Sequence, residues 1–229
     1  MDTIGANLQA VKARIANAAR QCARNPAGIE LLAVSKTFGA DAVRAAYSAG
    51  QRAFGENYVQ EAIEKITALR DLKLAWHFIG PIQSNKTRQI AEHFDWVHSV
   101  DRLKIAERLS AARPAALGPL EICLQVNIGG ENSKSGVAPA DARALATDIA
   151  ALPQLALRGL MTIPPASDDV SVQRGYFAQL RELRDELAAA GIALDTLSMG
   201  MSADLEAAVA EGATIVRVGT AIFGARERH

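Results

Sequence analysis

IELLAVS, residues 29–35, runs through KTFG into DAVRAAYSAG, residues 41–50. The first stretch is apolar almost throughout, as strands covered on both faces are. The second opens on an Asp and closes on a Gly, the start and stop marks of a helix. The unit recurs along the chain. QRAFGE (51–56) is a strand and about 58–70 a helix. KLAWHFIG (73–80) is a strand, followed by a helix opening at Ser84. DWVHSV (95–100) is a strand, followed by a helix capped by Asp101. LEICLQVNI (120–128) reads as the longest strand, and 139–152 as a helix. LALRGLM (155–161) is a strand. The helix over 170–190 places Tyr176, Phe177, Leu180, Leu183 and Leu187 on one face. ALDTLSMG (193–200) is a strand, with a helix from Ser202 to a stop at Gly212. ATIVRVG (213–219) is the last strand, leaving a short tail.

Strict alternation predicts a parallel sheet. Eight units in about 200 residues predict an α/β fold of the closed (β/α)8 TIM-barrel type. An extra N-terminal helix over 3–23 precedes it, with Ile4, Leu8, Val11, Ile15 and Cys22 on one face. The alternative is an open doubly wound sheet, but no GxGxxG follows the first strand. No linker or low-complexity tract divides the chain, so residues 1–229 are expected to form a single domain.

The 229 residues carry no formal net charge, and 49% are hydrophobic against 22% charged. That composition permits a sizeable core. Balanced charge argues against wholesale binding to nucleic acid or an anionic membrane. Lys12, Arg14 and Arg20 interrupt any leader-like apolar run, and no stretch has the length of a membrane helix. A cytoplasmic protein is expected. Cys22 and Cys123 lack a CxxC partner and read as two small buried thiols. His93 and His98 match no metal pattern and are expected to be structural. GGENSKS (129–135) resembles a phosphate-binding loop but has Ser133 where glycine must precede the lysine.

In barrels the chemistry sits at the C-terminal strand ends. Those ends supply Lys36 (first strand), Gly55, Glu56 and Asn57 (second), His77 and Gly80 (third), His98 and Ser99 (fourth), and Asn127 (fifth). The sixth supplies Met161 and Thr162, the seventh Ser198, Met199 and Gly200, and the eighth Arg217, Gly219 and Thr220. Barrels often hold phosphate between the loops after strands seven and eight. SMGMS (198–202) offers a glycine and a Ser-capped helix start there, and VGT (218–220) a second glycine and a hydroxyl. The competing reading is two tight turns that need glycine. Arg217 alternates with Val216 and Val218, so it points inward. A buried arginine needs a partner, and Glu56 or Asp195 would serve. A lysine in a partly apolar pocket holds more free amine, and free amines form Schiff bases with aldehydes. An aldehyde bearing a phosphate and a ring nitrogen describes pyridoxal phosphate.

Six stretches then carry a family resemblance: AVSKT (33–37), FGENYVQE (54–61), WHFIGPIQSNK (76–86), VNIGGENSKSG (126–136), LRGLMTIP (157–164) and LSMGMSADLEAAVAEGATIVRVGTAIFGAR (197–226). They span nearly the whole chain, and several are long and ungapped. The sequence resembles the pyridoxal-phosphate-binding homeostasis proteins, which are related to the N-terminal barrel of alanine racemase. The resemblance implies pyridoxal 5′-phosphate held as a Schiff base on Lys36. It implies phosphate contacts around Ser198, Met199, Gly200, Gly219 and Thr220, Arg217 at the pyridine nitrogen, and Asn57 nearby. Many family members carry a second basic residue soon after the lysine; here Phe38 stands there. Lys134 keeps its basic match. The implied role is a carrier or buffer of vitamin B6; pyridoxal-phosphate-dependent apoenzymes are one recipient, and buffering of the free pool or action through amino-acid or keto-acid balance are the alternatives. No exposed apolar stripe is evident in the sequence, so a monomer is expected. The enzymatic alternative is an amino-acid racemase. That reaction needs a proton donor on each face of the substrate carbon. In alanine racemase a tyrosine from a second, β-rich domain serves one face. The chain is expected to lack that domain, which leaves Tyr58 as the only nearby candidate.

Overall fold

The computed structural model describes residues 3–131 and 134–225. Ser133 and Arg226, both within stretches quoted above, therefore lie outside the described residues. After the N-terminal helix α1 (Thr3–Gln21), strands and helices alternate in sequence. They are β1 (Glu30–Val34), α2 (Ala40–Ser48), β2 (Ala53–Glu56), α3 (Val59–Ala68), β3 (Ala75–Phe78), α4 (Thr87–His93), β4 (Trp96–Val100) and α5 (Leu103–Ala112). The second half comprises β5 (Leu120–Gln125), α6 (Ala142–Ala150), β6 (Leu155–Met161), α7 (Val170–Ala189), β7 (Thr196–Ser198), α8 (Leu205–Ala210), β8 (Ile215–Val218) and α9 (Thr220–Phe223). All strand pairs are parallel, and β1 pairs with both β2 and β8, closing the expected eight-stranded barrel.

Strand alternation splits the apolar residues between two environments. Leu31, Ala33, Phe54, Trp76, Val97, Ile122, Leu160, Leu197, Val216 and Val218 join the main core with the helices. Leu32, Ala53 and Ile215 form a small separate cluster with Ala75 and Ile79. The short helix α9 covers little, and α1 packs against α8, α9 and α2 beside the β8–β1 seam. Arg14 bonds Glu206 and Ser202 O, and Asn7 bonds Ile222 O. The extra helix thus takes the place of a full-length helix after β8.

Several sequence-based boundaries move for local reasons. The longest strand is β6, not β5: β5 ends at Gln125, and Val126, whose N–H still donates to Met161 O, makes an isolated bridge to Val137. The helix expected from Ser202 begins at Leu205. Gly200 has φ +93, and Asp204 Oδ1 accepts the Met201 N–H to hold an intervening turn. Asp101 does not cap α5; it pairs with the Arg102 guanidinium. The helix opening at Ser84 starts as one 3-10 turn. Helix α9 was not anticipated. Cys22 is exposed rather than buried, beyond the end of α1, whereas Cys123 is buried and its thiol is pushed up by desolvation.

Gly159 marks the tightest approach between strands: a Cβ there would run into Thr196 O on β7. Gly159→Ala is expected to destabilise the protein by about 3 kcal/mol, since neither strand backbone can give way. Urea denaturation of the two proteins checks this.

Candidate functional site

A cavity of about 280 Å³ opens at the C-terminal end of the barrel, near the lower bound of small-ligand sites. Lys36 lies on its wall, one residue beyond the Ser35 that follows β1. Phe38, Asn57, Ile79 and Ile163 supply further wall. Arg217, Gly219 and Thr220 come from the β8 end, and Met201, Ser202 and Ala203 from the turn before α8.

Five of the residues singled out in the sequence therefore meet at one cavity: Lys36, Asn57, Arg217, Gly219 and Thr220. Ser198, Met199 and Gly200 do not line it. Ser198 points into the barrel, Met199 packs outward in the main core, and Gly200 makes the turn. A Cβ on Gly200 would also strike that of Ala208. The β7 loop reaches the cavity one to three residues later, through Met201, Ser202 and Ala203. The sequence reading had Met201 and Ser202 within its SMGMS stretch but named Ser198, Met199 and Gly200 as the contacts, and it did not single out Ala203.

Arg217 is 4% exposed, at the inner edge of the cavity. Its expected carboxylate partners are engaged elsewhere. Glu56 pairs with Lys65, and Asp195 pairs with Arg158. Arg217 Nη1 instead donates to Ser198 Oγ at 2.8 Å, and Nη2 donates to Thr162 O at 2.8 Å. Burial pulls its pKa down to about 10, with Asp204 opposing through space, so the guanidinium remains charged near neutrality. The barrel thus holds a buried cation that, among the described residues, has neutral hydrogen-bond partners and no ion pair.

The bond to Ser198 continues across the barrel. His98 Nδ1 lies 2.8 Å from Ser198 Oγ, and His98 Nε2 lies 2.9 Å from His77 Nδ1. Arginine only donates, so Ser198 Oγ accepts from Arg217. A second lone pair and the hydroxyl proton are both left for His98 Nδ1, and one ring nitrogen donates to the other between His98 and His77. Both imidazoles are neutral: desolvation pulls His77 down to about 3 and His98 well below its ordinary value, with His77 and Arg217 adding to the latter. His77 also stacks on Trp96, with ring centroids 5.4 Å apart. These histidines stood at the predicted strand ends, but their connection spans 100 residues of sequence and has no local signature.

Three further groups complete the surroundings. Asn57 Oδ1 is buried and has no hydrogen-bond donor. Phe38 stacks on Phe223 of α9, with centroids 5.2 Å apart. Lys134 lies on an adjoining cavity that shares Asn57, Ile79 and Ile163, and it pairs with Glu131. Tyr58 is 55% exposed and lines neither cavity. His93 bonds Gln89 O, and among the described residues no group of three or more acidic, His or Cys side chains is arranged to hold a metal.

The cavity therefore combines an amine, a buried cation, an unsatisfied amide oxygen and a rim of small residues. Comparison with known proteins gives this set its context. The model of the alanine racemase N-terminal domain family matches residues 6–227. The pyridoxal phosphate homeostasis protein of Pseudomonas aeruginosa is 62% identical over 227 residues, covering 99% of this chain and 97% of that one. The chain belongs to this family. The Escherichia coli K12 homeostasis protein is 52% identical, over 99% of this chain and 98% of its own. The solved structure of PipY from Synechococcus elongatus with PLP bound superposes with a TM-score of 0.81 at 46% identity, over 92% of this chain and all of that one. Alanine racemase from Corynebacterium glutamicum shares the fold, with a TM-score of 0.74 at 17% identity.

The neutral histidines give a pH dependence with a definite sign. His77 is held below its unfolded pKa, so its contribution is complete above pH about 6.5 and is lost as pH falls toward 3. Between pH 7 and 5 this costs about 2 kcal/mol through His77, because the unfolded chain takes up a proton that the folded one refuses. Urea midpoints measured across that range are expected to fall steeply for the wild type and less steeply for His77→Gln.

Proposed function

We propose that this chain binds pyridoxal 5′-phosphate as a Schiff base on Lys36 and serves vitamin B6 homeostasis as a carrier or buffer. The observation that carries the reading is Arg217, a buried cation without a carboxylate, at the cavity whose wall holds Lys36. The residues fit the group. Asn57 Oδ1 awaits a donor, and a cation held by neutral partners suits an unprotonated ring nitrogen. The backbone amides and small side chains of Ser202, Ala203, Gly219 and Thr220 suit a phosphate.

Attachment needs no further reagent: the Lys36 amine adds to the aldehyde carbon, a C=N bond forms and water leaves. When bound, the cofactor supplies an electron-accepting ring. Arg217 beside the ring nitrogen would oppose its protonation and so would make the ring a weaker electron sink. Racemisation would also need a proton donor opposite Lys36. Tyr58 turns outward and does not line the cavity, which favours the carrier reading. Among the described residues no helix is long and apolar enough to cross a membrane. Among the described residues the large exposed apolar side chains are Tyr58, Leu117, Ile163, Val170, Val172 and Met201, of which Ile163 and Met201 belong to the cavity. We accordingly place the protein in the cytoplasm as a monomeric, single-domain carrier that hands its cofactor to pyridoxal-phosphate-dependent apoenzymes.

The test is a visible absorption titration with pyridoxal phosphate, run beside Lys36→Ala. The wild type is expected to develop an imine band that the variant lacks, while amino-acid racemisation by the loaded wild type stays at background. A wild type that remains colourless contradicts the reading. Rapid racemisation favours the enzymatic alternative.

A further inference from the structure

The residue that holds Lys36 in place is not on its own strand. Lys65 sits on α3, in what the sequence presents as the polar part of an amphipathic helix, yet its side chain is 5% exposed. Its ammonium has three protons and three acceptors. Those acceptors are Ser35 O at 2.8 Å, Glu56 Oε1 at 2.7 Å and Glu61 Oε1 at 2.6 Å. Both carboxylates also reach the segment around Lys36. Ser35 Oγ donates to Glu56 Oε1, and the Thr37 N–H donates to Glu61 Oε1, each at 2.6 Å.

The residues flanking Lys36 are therefore tied to one cluster, by the Ser35 carbonyl on one side and the Thr37 amide on the other. The conformation held there is not one the chain adopts unaided. Thr37 has φ +71, in the left-handed region disfavoured for a β-branched residue. Such strain persists only where surroundings impose it, and it gathers at ligand sites. Here the surroundings are two carboxylates around one ammonium, with Glu56 Oε2 buried and without a partner. A surface helix has no structural need for so costly an arrangement.

We propose that Lys65, acting through Glu61 and the Ser35 carbonyl, is a positioning residue that aims the Lys36 amine at the cofactor aldehyde. This rests on the Schiff-base reading above. Helix α3 thereby controls the reactivity of a lysine just past the end of β1, and loosening the cluster slows attachment and release without touching the phosphate or ring contacts.

Glu61→Ala removes the Thr37 acceptor while leaving Lys65 and Glu56 as a one-to-one pair, so the fold is retained. Lys65→Met is the more direct change, but it strands two carboxylates and can unfold the region. Glu61→Gln keeps an acceptor oxygen and serves as the rescue. Two readouts apply: the rate of imine formation with added pyridoxal phosphate, and hydrogen exchange at the Thr37 amide in cofactor-free protein. Glu61→Ala is expected to form the imine about tenfold more slowly, as for a misaimed reacting group, and to lose Thr37 protection. Glu61→Gln is expected to stay within about twofold of the wild type on both counts. If Glu61→Ala matches the wild type in rate and protection while the wild type forms imine, the positioning role is overturned and the Schiff-base reading stands. If the wild type forms no imine, the reading beneath it falls as well.

Discussion

The bond from Arg217 Nη1 to Ser198 Oγ organises the interior of this barrel. A guanidinium buried without a carboxylate keeps its charge only where its neutral neighbours are all oriented as acceptors. Ser198 Oγ meets that requirement, and its contacts continue to His98 and from there to His77. Where a barrel of this type ordinarily fills its axis with branched apolar side chains, this one threads a polar chain across it. The result is a fixed positive group at the cavity, without an ion pair among the described residues and opposed only through space by Asp204.

The lysine is supported differently. Lys36 lies just past the end of β1, where the strand's own hydrogen bonds no longer define the backbone. The ionic cluster under α3 takes over. One part of the cavity is thus set by a neutral relay around a cation, and another, at the neighbouring strand end, by a tight ion cluster around a strained turn. Both devices act on the chain's own groups before any ligand arrives, which is what pre-organisation requires.

Much of this was legible in the sequence, for identifiable reasons. Apolar runs alternating with capped helices are a local signal, and they gave eight strands in order. The place of Lys36 at a strand end and the inward side chain of Arg217 follow from strand alternation alone. What failed was everything that depended on contacts across the barrel. Glu56 and Asp195 were the obvious carboxylates for Arg217, but each lies nearer another cation. Ser198 does end its strand, but its side chain turns into the barrel toward Arg217 and His98, and Ser202 read as a helix cap because the Asp204 turn before α8 has no strong local mark. Lys65 drew no reading at all. A lysine between Glu64 and Ile66 reads as solvated, and only the fold shows that it is buried against the backbone of Ser35.

The central claim is that one lysine among those of this chain carries the cofactor because of where the barrel puts it. Reduction of the pyridoxal-phosphate-loaded protein with borohydride, followed by peptide mapping, tests this most directly. The account predicts a pyridoxyl adduct on the peptide containing Lys36, at close to one per chain, with Lys65 unmodified. An adduct spread over surface lysines, or concentrated on a lysine other than Lys36, would contradict it.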